Sequence, residues 1–142
     1  MLKIERLEID DDRLDEIQAL DRATLPEAPP SPDTEWWGCW RDGELIAYAG
    51  ARMLSDASYF MSRAGVVPAA RGAGLQKRLI RARVRRGYAL GALRVATYTL
   101  PHNVASSNSL IACGFRTYTP HSEYAGSGAI YWIHRRRSAS ET

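Results

Sequence analysis

The chain has 142 residues, of which 45% are hydrophobic and 25% charged, and its formal net charge is +3. This length supports one domain with a core of its own, and the composition excludes disordered and fibrous proteins. No apolar run approaches the roughly 18 residues that a membrane span requires, and the first six residues lack the apolar core of a signal peptide, so we expect no membrane association.

The first elements predicted along the chain are a strand and a helix. Residues 2–9 alternate apolar and polar side chains, as a half-buried strand does. Asp11 or Asp12 is placed to cap a helix that runs to about Thr24. The buried stripe of this helix is predicted at Leu14, Ile17 and Leu20.

A proline-rich segment (residues 26–33) separates this helix from a predicted hairpin. Its four prolines exclude regular secondary structure. Residues 36–40 and 45–53 then predict two strands, and Asp42-Gly43 between them suits a two-residue turn.

The remainder of the chain continues the alternation of strands and helices. The predicted strands and helices are a strand at 59–67, a helix at 75–90, a strand at 93–99, a helix at 104–113, and strands at 115–119 and 129–133. The order β-α-β-β-β-α-β-α-β-β predicts an α/β fold, in which a mixed sheet has helices packed on it. We expect one domain over residues 1–135, followed by a short basic and polar tail over 136–142.

The loop between the strand at 59–67 and the next helix is the most informative motif. Gly72 and Gly74 can adopt positive φ and let a ligand approach the backbone, and Arg71 adds a charge suited to phosphate. A helix that begins directly after such a loop offers unpaired N–H groups to an anion. Lys77 stands where a dinucleotide fingerprint has its third glycine, and the loop lacks the Gly-Lys-Ser/Thr of a Walker motif. A tight turn without a ligand remains the alternative.

Two segments together resemble the GNAT acetyltransferase superfamily. The order Val-x-Pro-x-x-Arg-Gly-x-Gly at residues 66–74 is similar to the acetyl-CoA pyrophosphate loop of that family, although Gln76 replaces its last small residue. Residues 103–115 are similar to the family's asparagine, short helix and terminal Gly-Phe. The resemblance implies a single domain with a mixed, mostly antiparallel sheet of about six to seven strands flanked by helices.

The resemblance also implies an activity and a set of binding residues. The activity is transfer of an acetyl group from acetyl-CoA to a primary amine of a small molecule or peptide, by direct attack and without a metal. Backbone groups of Val66 and Val67 would contact the acetyl end of the donor, and Asn103 and Ser106 its pantetheine arm. For Asn103 a helix cap is an equally good role. The pyrophosphate would be held by Arg71, Gly72, Ala73, Gly74, Leu75 and Gln76.

The catalytic groups are less clearly marked. Many members of the family carry a tyrosine at the position of Leu110 as general acid, and leucine cannot donate a proton. Among candidate bases we select His102, which titrates near neutrality, and Glu35, while an exposed loop histidine is the alternative for His102. Further candidate bases are Glu27, Asp33 and Glu123, and the candidate substitutes for the missing acid are Tyr98, Tyr118 and Tyr124. Glu27, Asp33 and Glu35 are alternatively binding groups for a cationic acceptor.

The predicted helix at 75–90 carries a cluster of basic residues, namely Lys77, Arg78, Arg81, Arg83, Arg85 and Arg86. Such a cluster also occurs in nucleic-acid-binding proteins, but no base-stacking aromatics are interleaved with it. We therefore interpret the cluster as a solvated face that attracts the phosphorylated tail of CoA and do not favour a nucleic-acid partner. An acetyltransferase that acts on charged tRNA or another nucleic acid is the alternative that rests on this helix. The inward face of this helix is predicted at Ile80, Val84, Gly87 and Tyr88.

Two questions remain open at the level of sequence. The missing tyrosine leaves an inactive acyl-CoA-binding module, acting as a sensor or interaction protein, as the rival to an enzyme. The oligomeric state is equally open, with a homodimer among the alternatives. Cys39 and Cys113 match neither metal-ligand spacing nor a disulfide framework, so we expect reduced thiols and a cytoplasmic location.

Overall fold

The order of helices and strands follows the alternation predicted from the sequence. The computed structural model of the protein describes residues 1–126 and 128–136, so the predicted tail lies outside the described residues except for Arg136. The elements in chain order are β1 (Leu2–Leu7), α1 (Leu14–Thr24), β2 (Glu35–Arg41), β3 (Glu44–Met53), β4 (Ser58–Val66), a 3-10 turn (Pro68–Ala70), α2 (Leu75–Ala89), β5 (Arg94–Thr99), α3 (Val104–Ala112), β6 (Arg116–Thr117) and β7 (Ile130–Arg135).

The seven strands join one sheet in the order β1-β2-β3-β4-β5-β7-β6. The pairs β1–β2, β2–β3, β5–β7 and β6–β7 are antiparallel, whereas β4 and β5 run parallel. A parallel pair needs a crossover connection, which the glycine loop and α2 supply. The fold is thus a single α/β domain with a mostly antiparallel sheet and three helices, as predicted.

Two compact units make up this domain, and the first consists of residues 1–52 and 61–79. Its hydrophobic core contains Leu7, Leu14, Ile17, Trp36, Trp40 and Tyr48. Leu14 and Ile17 are therefore buried as predicted, and Leu20 packs against this core while remaining half-buried. The α1 helix joins the sheet through this apolar stripe.

The start of α1 differs from the prediction that Asp11 or Asp12 caps it. Arg13 occupies the N-cap position and makes no side-chain cap hydrogen bond. Instead, Asp11 Oδ1 accepts a hydrogen bond from the backbone N–H of Arg13 at 2.9 Å, and the Asp11 carbonyl accepts one from Leu14 at 3.1 Å. Asp11 therefore stabilises the turn before the helix, because its carboxylate satisfies donors two residues on.

The contact between Asp11 and Arg13 predicts a specific loss of stability in acid. Side-chain hydrogen bonds from Arg13, followed by the backbone one, lower the pKa of Asp11 from 3.8 to about 2. A depressed folded-state pKa contributes stability that is present above the unfolded value and is lost as the pH falls through the folded value. We expect Asp11→Asn to flatten the stability decrease between about pH 4 and pH 2.

Urea unfolding of wild type and Asp11→Asn at several pH values in that window measures this effect. Asp12→Asn is the matched control, because it alters the adjacent carboxylate and leaves the Asp11–Arg13 contact intact. Equal acid sensitivity of wild type and Asp11→Asn would refute the assignment.

The hairpin β2–β3 forms as the sequence predicts. Asp42 and Gly43 have φ values of 50° and 83°, and positive φ at both central residues is what a type I′ hairpin turn requires. The proline-rich segment between α1 and β2 contains no helix or strand. Both predictions are confirmed.

The second unit contains residues 53–60 and the chain from Ile80 on. Within it, α2 presents Ile80 and Gly87 to the interior, with Val84 and Tyr88 half-buried, as predicted. A Cβ added at Gly87 would lie 2.8 Å from the Cβ of the fully buried Tyr59, so the helix packs closely against that side chain.

Arg83 corrects the expectation that all basic residues of α2 lie on a solvated face. It is only 3% exposed, because it stands three residues after Ile80 and four before Gly87 on the inward stripe. Burial lowers the pKa of Arg83 to about 10. The solvated face that remains includes Arg81 and Arg85, which are exposed.

Candidate functional site

The glycine loop leads from the end of β4 into α2. Gly72 and Gly74 have φ values of +85° and +76°, a region that side chains with a Cβ rarely adopt. A Cβ added at either glycine meets no atom within 4 Å. Residues 71–74 are exposed, so the space in front of this backbone is open to a ligand.

Arg71 lies along the end of the strand at the entrance to this loop. Its Nε donates to the carbonyl oxygen of Val66 at 3.3 Å. The chain before it is tightened by a 3-10 turn, in which Ala70 donates to the Val67 carbonyl and Arg71 to that of Pro68. The turn holds the guanidinium beside the loop while leaving the side chain exposed.

The amide of Val67 is engaged within the sheet. Its N–H donates to the Ile46 carbonyl at 2.9 Å. A ligand contact through this N–H would require that the bond to β3 be given up, so the predicted backbone contact of Val67 is less available than the sequence suggested. Val66 and Val67 are both half-buried.

The N-terminus of α2 completes the loop. Leu75, the first residue of this 15-residue helix, is 2% exposed and anchors the helix end in the core. Ala73 is exposed and Gln76 half-buried, and no acidic residue occupies the first turn. The positive end of the helix dipole, the open glycine backbone and Arg71 together form a cradle for an anion.

Asn103 caps α3, as the alternative role at sequence level predicts. Its Oδ1 accepts a hydrogen bond from the N–H of Ser106 at 3.3 Å, and its carbonyl accepts one from Ser107. The Ser107 hydroxyl lies 3.2 Å from that of Thr99 on β5. The cap fixes the start of the helix, and contact of Asn103 or Ser106 with a ligand remains a prediction.

The selected bases occupy different environments. His102 is exposed in the turn between β5 and α3. Glu35 is the first residue of β2, is half-buried, and has its Oε2 3.8 Å from Nη1 of Arg6. His102 therefore faces solvent, whereas Glu35 lies beside a cation.

Leu110 is 4% exposed and packs in the interior. The position that carries the general acid in the resembled family is therefore a hydrophobic core position here. Three tyrosines proposed as substitutes belong to a group of aromatic side chains in the second unit, made up of Phe60, Tyr98, Tyr118, Tyr124 and Tyr131. Burial, with hydrogen bonding to Tyr118, raises the pKa of Tyr124, so its hydroxyl keeps its proton at neutral pH.

The first unit contains a buried polar network that was not predicted from the sequence. Arg63 Nε lies 2.9 Å from both carboxylate oxygens of Asp21, and the Tyr48 hydroxyl donates to Oδ1 of the same carboxylate at 2.7 Å. Asp21 stands four residues after Ile17, on the buried stripe of α1. That placement of a charge on an apolar stripe was the signal available in the sequence.

The described part of the chain contains no cluster of three or more metal-ligating side chains. Within the same residues, no helix is long and apolar enough to cross a membrane.

Comparison with known proteins identifies one family. The model of the Acetyltransferase (GNAT) family matches residues 3–115, which is most of the chain. A sequence comparison with curated proteins finds no significant match.

Solved structures share the fold at low sequence identity. The IAA acetyltransferase of Bacillus cereus is 17% identical, with a TM-score of 0.72 over 96% of this chain and 100% of the other. A Bacillus subtilis acetyltransferase in complex with CoA is 16% identical, with a TM-score of 0.73 over 96% and 100%. The ribosomal-protein-S18-alanine N-acetyltransferase of Escherichia coli is 18% identical, with a TM-score of 0.73 over 98% and 96%.

Proposed function

Because the chain belongs to the GNAT acetyltransferase family, we propose that it transfers an acetyl group from acetyl-CoA to a primary amine by direct attack. The observation that carries this proposal is the loop at residues 71–74. Two glycines with positive φ face open space at the N-terminus of a 15-residue helix, beside an exposed arginine. This arrangement suits the pyrophosphate of the donor.

The reaction requires a neutral amine and a departing thiolate. The amine nitrogen forms a bond to the thioester carbonyl carbon, the carbon–sulfur bond breaks, and the products are an amide and CoA. One proton leaves the attacking amine and one is taken up by the thiolate. A thiol with a pKa near ~8.5 is a fair leaving group at neutral pH, so the reaction does not depend on an acid at position 110.

We assign the amine proton to His102 or Glu35. His102 is exposed in the turn between β5 and α3, and Glu35 is the first residue of β2, two residues after the proline-rich segment. The exposed carboxylates of Glu27 and Asp33 in that segment favour an acceptor that carries positive charge. The acceptor is thus a cationic small molecule or a peptide with a free amine.

Release of CoA thiol with a panel of primary amines tests the proposed activity. The panel contains a polyamine, an aminoglycoside and peptides with free N-termini, each with acetyl-CoA as donor. We expect at least one amine to raise thiol release above the rate with acetyl-CoA alone. Tight binding of acetyl-CoA without turnover on any amine would instead favour the acyl-CoA-binding module.

Replacement of His102 by alanine separates the two candidate bases. If His102 is the base, the turnover rate at neutral pH falls by about 10²–10⁴-fold, while acetyl-CoA affinity stays as in wild type. The pH–rate profile, measured beside Glu35→Gln as the matched variant, identifies which residue accounts for the ionisation. A wild-type profile in His102→Ala removes the histidine from the mechanism.

A further inference from the structure

The buried network of the first unit joins three separate parts of the chain. Asp21 lies on α1, Tyr48 on β3 and Arg63 on β4, and all three are almost completely inaccessible to solvent. Arg63 and Asp21 share a charge-assisted contact, with Nε of the guanidinium 2.9 Å from each carboxylate oxygen. The Tyr48 hydroxyl donates to the same carboxylate and thereby fixes its orientation.

Arg63 also extends this network to the proline-rich segment. Its Nη2 donates a hydrogen bond to the backbone carbonyl of Ala28. The segment forms no helix or strand, so few backbone hydrogen bonds of its own hold it in place. Asp33 of the segment is contacted by Arg52 of β3 at 3.4 Å. This ion pair is exposed, so it adds little to the stability of the segment's position.

The residues that flank the segment, Thr24 before it and Thr34 after it, lie against glycines of two strands. The first atom that a Cβ at Gly65 would meet is Tyr48 Cε1 at 2.6 Å. A Cβ added at Gly65 of β4 would lie 3.2 Å from Cγ2 of Thr24, at the end of α1. A Cβ added at Gly50 of β3 would lie 3.0 Å from Cγ2 of Thr34.

Gly65 directly precedes Val66, the last residue of β4, after which the chain leads into the glycine loop. The end of α1, two residues before the segment, therefore lies beside the end of β4, and Arg63 of the same strand holds Ala28 within the segment.

Stability alone does not explain why a charged pair occupies this interior. Removing two charges from water is costly, and apolar residues of similar volume often stabilise a fold as well or better. An apolar core would, however, offer no donor to the Ala28 carbonyl. What the Asp21–Arg63 pair provides, and an apolar core would not, is therefore a fixed position for the proline-rich segment. This segment carries the exposed carboxylates of Glu27 and Asp33.

From this geometry we infer that Asp21, Tyr48 and Arg63 are positioning residues that hold the proline-rich segment as a wall of the acceptor site. This inference rests on the proposed acetyl transfer for the nature of the acceptor. The three residues act through the segment and do not touch the donor. Their loss is expected to raise the KM for the amine by about tenfold to a hundredfold, as misplaced substrate-binding groups do.

A triple variant tests the inference by removing the three polar side chains together, so that none of them stays behind without the other two. Asp21→Leu, Tyr48→Phe and Arg63→Met together remove the polar network and approximately preserve side-chain volume. We expect this variant to unfold at a urea concentration similar to that of wild type, to bind acetyl-CoA normally, and to exchange the amides of Ala28 and Thr34, which each donate to the carbonyl three residues earlier, at least about tenfold faster. Arg63→Lys is the conservative partner, since it keeps the charge beside Asp21, and it is expected to restore part of the protection.

Two measurements keep the outcomes distinct. Hydrogen exchange on the free protein needs no acceptor, so unchanged exchange of the Ala28 and Thr34 amides in a folded triple variant overturns the inference whether or not acetyl transfer is found. Steady-state kinetics use the panel amine with the highest wild-type turnover, and an unchanged KM for that amine also overturns it. Failure of the proposed function is a different result, in which wild type itself transfers nothing.

If the triple variant fails to fold, Tyr48→Phe alone decides the question. It removes one hydrogen bond to Asp21 and keeps the ring that lies against Gly65. We expect a several-fold rise in amide exchange of the segment, whereas wild-type exchange contradicts the positioning role.

Discussion

Replacing Gly74 with valine is expected to weaken acetyl-CoA binding by at least about a hundredfold, which corresponds to the loss of about two charge-assisted hydrogen bonds. Valine is strained at a φ of +76°, so the loop would shift its backbone donors away from the phosphate. The added side chain would also occupy space that no protein atom within 4 Å fills. Calorimetric titration of acetyl-CoA into the variant measures this loss.

Gly43→Val is the matched control for this variant. Gly43 has a φ of +83°, and a Cβ added there also meets nothing within 4 Å, but it lies in the β2–β3 turn. Both substitutions should cost about 1–3 kcal/mol in backbone strain, and only Gly74→Val should lose acetyl-CoA. Wild-type affinity in Gly74→Val would show that the loop does not hold the pyrophosphate.

Replacing Asp21 with alanine is expected to lower the free energy of unfolding by about 3–5 kcal/mol. The Arg63 guanidinium, only 8% exposed, would lose the carboxylate beside it, and removing one partner of a buried ion pair is among the costliest changes to a core. The Tyr48 hydroxyl would lose its 2.7 Å contact in addition. Since domains of this size have a total stability of about 5–15 kcal/mol, part of the population would unfold.

Glu8→Ala provides the comparison, because it removes an exposed ion pair of similar length. Glu8 contacts Arg6 at 3.0 Å with 72% of its side chain exposed, and such pairs contribute about 0.2–1 kcal/mol. Urea unfolding of both variants gives the two values. A decrease below about 1 kcal/mol for Asp21→Ala would contradict the account of the buried pair.

Sequence patterns predicted the elements of this fold well because they report on local preferences. Alternation and helical spacing placed all seven strands and three helices, and Asp42-Gly43 identified the hairpin turn. The prediction for Arg83 was wrong because its charge favours solvent while its place in the helical repeat favours the interior. Arg83 was assigned to the solvent by its charge, although its spacing from Ile80 and Gly87 places it on the buried face.

The candidate site was only partly predictable for a related reason. Motif positions identified the glycine loop, because a positive φ requires a particular residue at a particular place. Side-chain contacts between distant positions, in contrast, require no particular motif in the sequence. Asp21 and Arg63 are 42 residues apart in sequence, and neither their residue types nor their spacing predicts that they pair. The candidate bases His102 and Glu35 are a similar case, because their solvent exposure depends on the tertiary fold and not on local sequence.

The stoichiometry of acetyl transfer tests the central claim most directly. Wild-type protein is incubated with acetyl-CoA and the most responsive amine of the panel, and mass spectrometry quantifies the acetylated amine while a thiol reagent quantifies free CoA. The account predicts one acetylated amine for each CoA released, with release dependent on the amine. Acetyl-CoA binding with no acetylated product from any amine would contradict it.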